Sequence, residues 1–551
     1  MLQRHDVLLI FVLGVLLLMP CIWCETSITG QDEYWLSFRT PMETLERGDW
    51  FTPWVNGEPR LKKPPLLYWA MLLSYKVFGI SLFAARIWGV LAGAGLAACS
   101  ALLYRELFKR SGILAGLITL GTISVAIEGR RAMLDLPLAF FTALAVYFAV
   151  RWGRSGRPAW ILWAAFSLGL SFLVKGPVGI ILFAVAAAGA IIVFRRWHFL
   201  ASNWRHVLWA CLLLVAVSLP WPIVMAWLWP DFLKIIDGEV AARGIGTVHV
   251  KSPFSTLGGA FGLVFPWSLI LLAALIRSIY PAGNDSARKD LWLFTWFFGC
   301  VIPFFFIRSF ARYMTPLIPA AAVLCAYWLE QVKGPWKTRL LGISVSLMAM
   351  VAVPFSIFFI WFERGVPTAV MALAVVGLML WLTFTKRDVQ MVAGSVAVLF
   401  CLIMGGLYPS LGVNALPEDL DEIIGSRPVA AYNSSQPSML SIRMKKSAIR
   451  IQSWVEEDQN RLKHLDGFVF VREADAREFE ALAGKLEIDA VMAGRFRTFY
   501  SRQAWIRFAR EDATAADWKE AVARHSLEAL KPAIRYYRVR PGGGKKLEAR
   551  S

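Results

Sequence analysis

The sequence predicts a polytopic α-helical membrane protein that ends in a small α/β domain, and three observations carry that prediction. Of its 551 residues, 57% are apolar and 18% charged, and its mean hydropathy is +0.53, more apolar than a soluble globular chain of this length needs to be. Apolar runs long enough to cross a bilayer recur from residue 7 to about residue 408. From residue 412 on, the chain turns polar, with short β-like runs between helical ones.

Taken in order, the apolar runs predict about thirteen spans, near 7–23, 83–104, 112–127, 134–150, 159–174, 177–194, 206–227, 257–277, 290–307, 314–330, 339–361, 367–385 and 389–408. The first is read as a retained span, because nothing near Cys24 resembles a small-residue cleavage site. Alternate loops are rich in cations: Arg105/Lys109/Arg110, Arg151/Arg154/Arg157, Arg195/Arg196/Arg205, Arg277/Arg288/Lys289, Lys333/Lys337/Arg339 and Lys386/Arg387. The positive-inside rule puts these in the cytoplasm. The alternation then requires 66–80 to be an interfacial helix on the outer face, with Tyr68, Trp69 and Tyr75 at headgroup level and Lys76 snorkelling. An odd number of spans puts the N-terminus inside and residues 412–551 outside, so residues 1–411 form the membrane domain and 25–82 its first external loop. The polar part should carry strands at 429–432, 467–471 and 534–539 and helices at 474–486 and 515–527, and the end, PGGGKKLEARS, should be disordered.

Most of the formal charge of +19 lies before residue 412, spread over short loops, which excludes the single basic face of a nucleic-acid binder. The seven cysteines lie in or beside apolar runs without metal spacing, and Cys21 and Cys24 read as small hydrophobes at a helix end.

Five groups of ionisable residues gather on the outer side: Asp32-Glu33 with Glu43, Glu46 and Asp49; Lys62-Lys63 before Pro64-Pro65; Arg130-Arg131 with Asp135; Lys175 in a membrane-level turn; and Asp237, Glu239, Arg243, His249 and Lys251 together with Arg308, Arg312 and Tyr313. Each has a bland reading: Asp135 could pair with Arg131, Lys175 could snorkel, and Arg308 and Arg312 could anchor the interface. Together they put cations and carboxylates at one bilayer edge, where ionisable groups are costly. Cations there suit a lipid-linked phosphate, and a carboxylate suits an incoming hydroxyl. No Walker loop, GxGxxG or HExxH is present, so the energy must come from an already activated substrate, of which a polyprenyl-phosphate sugar is the natural example outside the cytosol.

The segment QDEYW…LERGDWFTPWVNGEPRLKKPPLLYW, followed in order by MLDLPLAFF, LVKGPVG, SLPWPIVMAW, HVKSPF with FPW, and ARYMTPLIPA, resembles the lipid-dependent GT-C glycosyltransferases, in the branch of 4-amino-4-deoxy-L-arabinose lipid A transferase and the protein O-mannosyltransferases. The resemblance runs over roughly residues 5–410. It implies that Asp32 is the catalytic carboxylate with Glu33 beside it, that Asp135 is the second functional acid, that Lys63 holds the carrier phosphate, and that Arg312-Tyr313 is the late basic element near it. Two departures matter. Lys62 stands where the family often has an acid, so no metal is expected, although a divalent ion stays open. The spacing from Asp32 to Gly48 is one residue longer than in the aminoarabinose branch, which keeps Glu33 as an alternative to Asp32.

The expectation is an inverting, cofactor-free transferase of the bacterial inner membrane that moves an aminoarabinose-like pentose or a hexose from polyprenyl phosphate to lipid A or a related periplasmic acceptor. Lys62, Lys63, Lys175, Arg312 and Tyr313 would bind the carrier, and Arg131, Glu239, Arg243 and His249 would line the donor and acceptor loops. A protein or polysaccharide O-glycosyltransferase of the same fold is the alternative. A lipid or sugar transporter is the rival from another class, against which the sequence shows no internal repeat.

Overall fold

The computed structural model describes all residues except 1, 31, 243–252, 280–284, 308, 434–436, 503–504 and 543–551; all but the first two residues of the C-terminal tail expected to be disordered lie outside the described residues. Every stretch expected to span the membrane contains helix. Among the described residues, seven helices are long and apolar enough to cross a bilayer, and an eighth span is possible if Phe254–Leu263 and Ser268–Ile279 count as one. That pair is bent by 109°. The other apolar runs form shorter or broken helices. The stretch near 112–127 splits at Gly121 into Ile113–Leu120 and Ile123–Glu128, the second capped by the Thr122 hydroxyl. The helix Asp285–Val301 tightens at Pro303 into the turn Ile302–Phe305.

The helix Leu82–Phe108 lies at the centre of the bundle, with nineteen buried residues. Small residues let its neighbours close in. At Gly89 a Cβ would sit 2.4 Å from the carbonyl oxygen of Arg131 and 3.1 Å from that of Gly129. This contact brings the 129–132 turn against the bundle. The helix Leu66–Phe78 is too short to span at about 1.5 Å per residue. It buries Leu67, Tyr68, Met71, Leu72 and Tyr75 and exposes Leu73, Val77 and Phe78, so Tyr68 and Tyr75 face the protein interior and not the headgroups. Lys76 does not simply reach outward: its ammonium lies 4.1 Å above the Trp50 ring.

Beyond the helices lies a five-stranded sheet in the order Ile449–Ile451, Val429–Tyr432, Gly467–Arg472, Ala533–Arg540, Asp489–Arg497. The first three strands are parallel and the last two pairings antiparallel. The helices Glu456–Lys463 and Ala476–Lys485 cover one face, and Leu420–Ile424 and Pro437–Met444 the other. This domain rests on the helical part through Phe499, Leu527 and Leu530, which join the large apolar cluster of the bundle. Trp361 Nε1 donates to the Val522 carbonyl (3.1 Å). Arg364 pairs with Glu528 (3.0 Å), and Arg443 with Glu25 (3.1 Å).

Candidate active site

Two antiparallel helices build the centre of the site. Asp135 is the first residue of Asp135–Ser155, and Lys175 is the last of Pro158–Lys175. A carboxylate at a helix N-terminus and an ammonium at a C-terminus are each favoured by the helix dipole. Antiparallel packing brings those two ends together, so the Lys175 ammonium donates to Asp135 Oδ1. Gly176 makes the stop: its φ of +72° lies in the region glycine prefers. Asp135 is 2% exposed and Lys175 8%.

A third element closes the pair. The tight turn Ala311–Leu317 packs against the start of Asp135–Ser155 and puts Arg312 Nε 3.1 Å from Asp135 Oδ2. A second nitrogen of the same guanidinium lies 3.8 Å from Asp32 Oδ2. Burial works against the Arg312 charge, but Asp135 and then Asp32 outweigh it and hold the guanidinium above its ordinary value. The Tyr313 ring lies under the Lys175 ammonium, 3.4 Å from centroid to nitrogen. Asp32, Asp135, Lys175, Arg312 and Tyr313 thus meet in one place. Asp32 is the open carboxylate among them, 40% exposed.

Its neighbour differs. Glu33 is fully buried and accepts from Arg86 Nε (3.0 Å) and from the backbone N–H groups of Ala132 (2.6 Å) and Gly30 (2.5 Å). Arg86 also donates to the Ile22 and Cys24 carbonyls, both at 3.3 Å. Glu33 therefore ties the segment after the first helix to the 129–132 turn and has no open face. Of the two adjacent acids, Asp32 is therefore the one that solvent reaches.

The bland pairing of Asp135 with Arg131 is replaced by another: Arg131 donates to Glu128 Oε1 (2.9 Å). Nor does Lys175 reach out to headgroups. Lys63 donates to Glu239 Oε1 at 2.8 Å. Leu61, two residues before Lys63, and Leu173, two before Lys175, share a buried cluster with Trp221, Met225 and Phe232, so the Lys63 turn is packed against the Lys175 helix. Lys62 is exposed. Arg243, His249, Lys251 and Arg308 lie outside the described residues. Among the described residues, no three of His, Cys, Asp and Glu come together as metal ligands.

Sequence reasoning missed Arg86, although a lone arginine inside LFAARIWGV was a signal, since a charge in an apolar helix demands a partner. It also missed Arg60, which donates to the hydroxyl of buried Tyr68 (2.9 Å).

The sequence profile of the dolichyl-phosphate-mannose-protein mannosyltransferase family matches residues 29–236. The chain is 27% identical over 328 residues to undecaprenyl phosphate-alpha-4-amino-4-deoxy-L-arabinose arabinosyl transferase 1 of Pseudomonas fluorescens, a match covering 56% of each protein. It is 25% identical over 452 residues to the enzyme so named in Pseudomonas aeruginosa strain UCBPP-PA14, covering 73% of this chain and 77% of the relative. The fold matches the crystal structure of ArnT from Cupriavidus metallidurans bound to undecaprenyl phosphate with a TM-score of 0.71, over 96% of this chain and 97% of that one, at 17% identity.

Proposed function

We propose that this chain, which belongs to the lipid-dependent GT-C glycosyltransferases in the branch of the aminoarabinose and protein-mannose transferases, moves a sugar from a polyprenyl phosphate to lipid A or a related acceptor at the outer face of the bacterial inner membrane. In this reading residues 1–411 are the transferase unit, with its N-terminus in the cytoplasm, and 412–551 a periplasmic domain. The observation that carries the proposal is the meeting of Asp32, Asp135, Lys175 and Arg312 at one end of a membrane helix bundle.

The chemistry follows from that geometry. An acceptor oxygen attacks the anomeric carbon as its bond to the carrier phosphate breaks, in one in-line step that inverts configuration. Negative charge then grows on the departing polyprenyl phosphate. Arg312 has more donors than Asp135 and Asp32 use, and with Lys175 it stabilises that charge. Asp135 is a positioning residue: it fixes both cations so that they need not reorganise during the reaction. Asp32, the exposed carboxylate, takes the proton of an incoming hydroxyl, or orients an acceptor that already arrives as a phosphate anion. Lys63, held by Glu239, is a third cationic contact for the carrier, with Lys62 beside it. The names of the relatives support aminoarabinose as the sugar class and undecaprenyl as the carrier.

The experiment is the intact mass of lipid A from cells with and without the protein. A pentose-sized addition that depends on Asp32 is expected. Unchanged lipid A together with a newly glycosylated protein would favour the mannosyltransferase-like alternative.

A further inference from the structure

The helix pair that carries Asp135 and Lys175 ends in a second feature on the opposite side. Arg154 follows Asp135 by nineteen residues on one helix, about 28 Å at 1.5 Å per residue. There, Asp135–Ser155, Val178–Phe194 and Asp285–Val301 leave a cavity of about 440 Å³ between them, within the range of about 300–1,000 Å³ typical of ligand sites. Its body is apolar, lined by Val146, Phe183, Ala187 and Trp292, while Arg154, Arg196 and Lys289 stand in its lining as cations.

Their partners are unequal. Arg154 pairs with Glu106 (2.9 Å), and Lys289 with Asp285 (2.5 Å). Arg196 is exposed, lies 5.8 Å from the Phe199 ring, and has no carboxylate partner among the described residues. Beside it, Trp197 and Trp204 are 61% and 56% exposed. Exposed tryptophans next to arginines mark the headgroup level of a bilayer. The mouth of the cavity therefore lies where lipid phosphates lie, and its apolar body extends inward from there.

We propose that this cavity is a binding site for an anionic phospholipid of the leaflet opposite the transfer site, with one acyl chain inside and the phosphodiester held at Arg196. The excess cation at the mouth selects a net negative headgroup over a zwitterionic one. The inserted chain fills the space between the helix that begins with Asp135 and the helix that follows Lys175, so the lipid braces the far end of the helix that carries Asp135. This inference does not depend on which sugar or acceptor the site uses.

The test is native mass spectrometry of the full-length protein in detergent micelles, with dioleoyl-phosphatidylglycerol and dioleoyl-phosphatidylcholine as probes. The glycerol lipid should be retained at least about fivefold more strongly, because one basic side chain at an anionic surface contributes about 1 kcal/mol. Arg196→Gln, on the exposed rim, should fold normally and bring the two lipids level. Ala187→Trp should displace both lipids by filling the cavity. Equal retention of the two lipids by the unaltered protein would overturn the proposal, as would undiminished phosphatidylglycerol binding in Arg196→Gln. Displacement of phosphatidylglycerol by undecaprenyl phosphate would assign the cavity to the carrier's tail and also overturn it.

Discussion

Replacing Lys175 with methionine tests whether the buried ion pair serves the chemistry or only the fold. Lys175 and Asp135 are 8% and 2% exposed, so the substitution strands a carboxylate that almost no water reaches. Breaking a buried pair by removing one partner costs about 3–5 kcal/mol. Arg312 stays 3.1 Å from Asp135 and shares the load, which places the expected loss near the low end, about 3 kcal/mol. Asp135→Asn combined with Lys175→Met removes both charges and should recover part of that loss, for a coupling energy of about 1–3 kcal/mol. Turnover should behave differently. Lys175 is assigned to the leaving phosphate, so the double variant should regain stability but not activity. The assay is a thermal and denaturant unfolding cycle of the four proteins in nanodiscs, with single-turnover sugar transfer measured on the same samples. A coupling energy near zero would refute the pairing, and recovered turnover in the double variant would refute the role of Lys175 on the phosphate.

Other substitutions separate the remaining residues. Asp32→Asn should lower turnover by about two orders of magnitude or more with normal expression, whereas Glu33→Gln should chiefly lower the amount of folded protein, read by size-exclusion profile. Lys63→Ala should weaken binding of polyprenyl phosphate roughly ten- to a hundredfold, the equivalent of about 1.5–3 kcal/mol for a contact to a charged group, while Lys109→Ala should leave it unchanged. Gly89→Ala puts a methyl 2.4 Å from the Arg131 carbonyl oxygen and should destabilise the 129–132 turn, measured as faster amide exchange at Ala132. Burial raises the Glu25 carboxyl above its ordinary value, although Arg443 pulls it down. Its stabilising contribution is therefore complete below the unfolded value and is lost as pH rises through the raised one. Glu25→Gln should accordingly flatten the pH dependence of thermal stability above pH 4.5, and an unchanged profile would sink that assignment.

The individual charges of the site were legible in the sequence, but their pairing was not. Asp135 and Lys175 stand out because each ends an apolar run. Which charge each one meets depends on how two helices pack, and sequence-local reasoning offered Arg131 and the headgroups instead. Glu33 and Asp32 are adjacent and chemically alike, so only burial separates them: one points into the bundle against Arg86, the other is 40% exposed. Hydropathy does not register the break at Gly121 or the 109° bend between two short apolar helices, so each of those runs read as one continuous span. In the C-terminal domain the strand Asp489–Arg497 escaped notice. It lies at a sheet edge, much of it exposed, and its register shifts between Met492 and Gly494, which blurs the alternation that marks a strand. The strands at Val429–Tyr432 and Gly467–Arg472 are buried on both faces and read as continuous apolar runs.

The most direct test of sugar transfer from a lipid carrier uses the purified protein in nanodiscs with an undecaprenyl-phosphate donor radiolabelled in its sugar and with lipid A as acceptor. Label should move to lipid A at a rate that falls by about two orders of magnitude in Asp32→Asn, with unlabelled carrier phosphate released in equal amount. Label that stays on the carrier while the protein, in sealed vesicles, moves the intact lipid across the bilayer would contradict sugar transfer and identify a transporter.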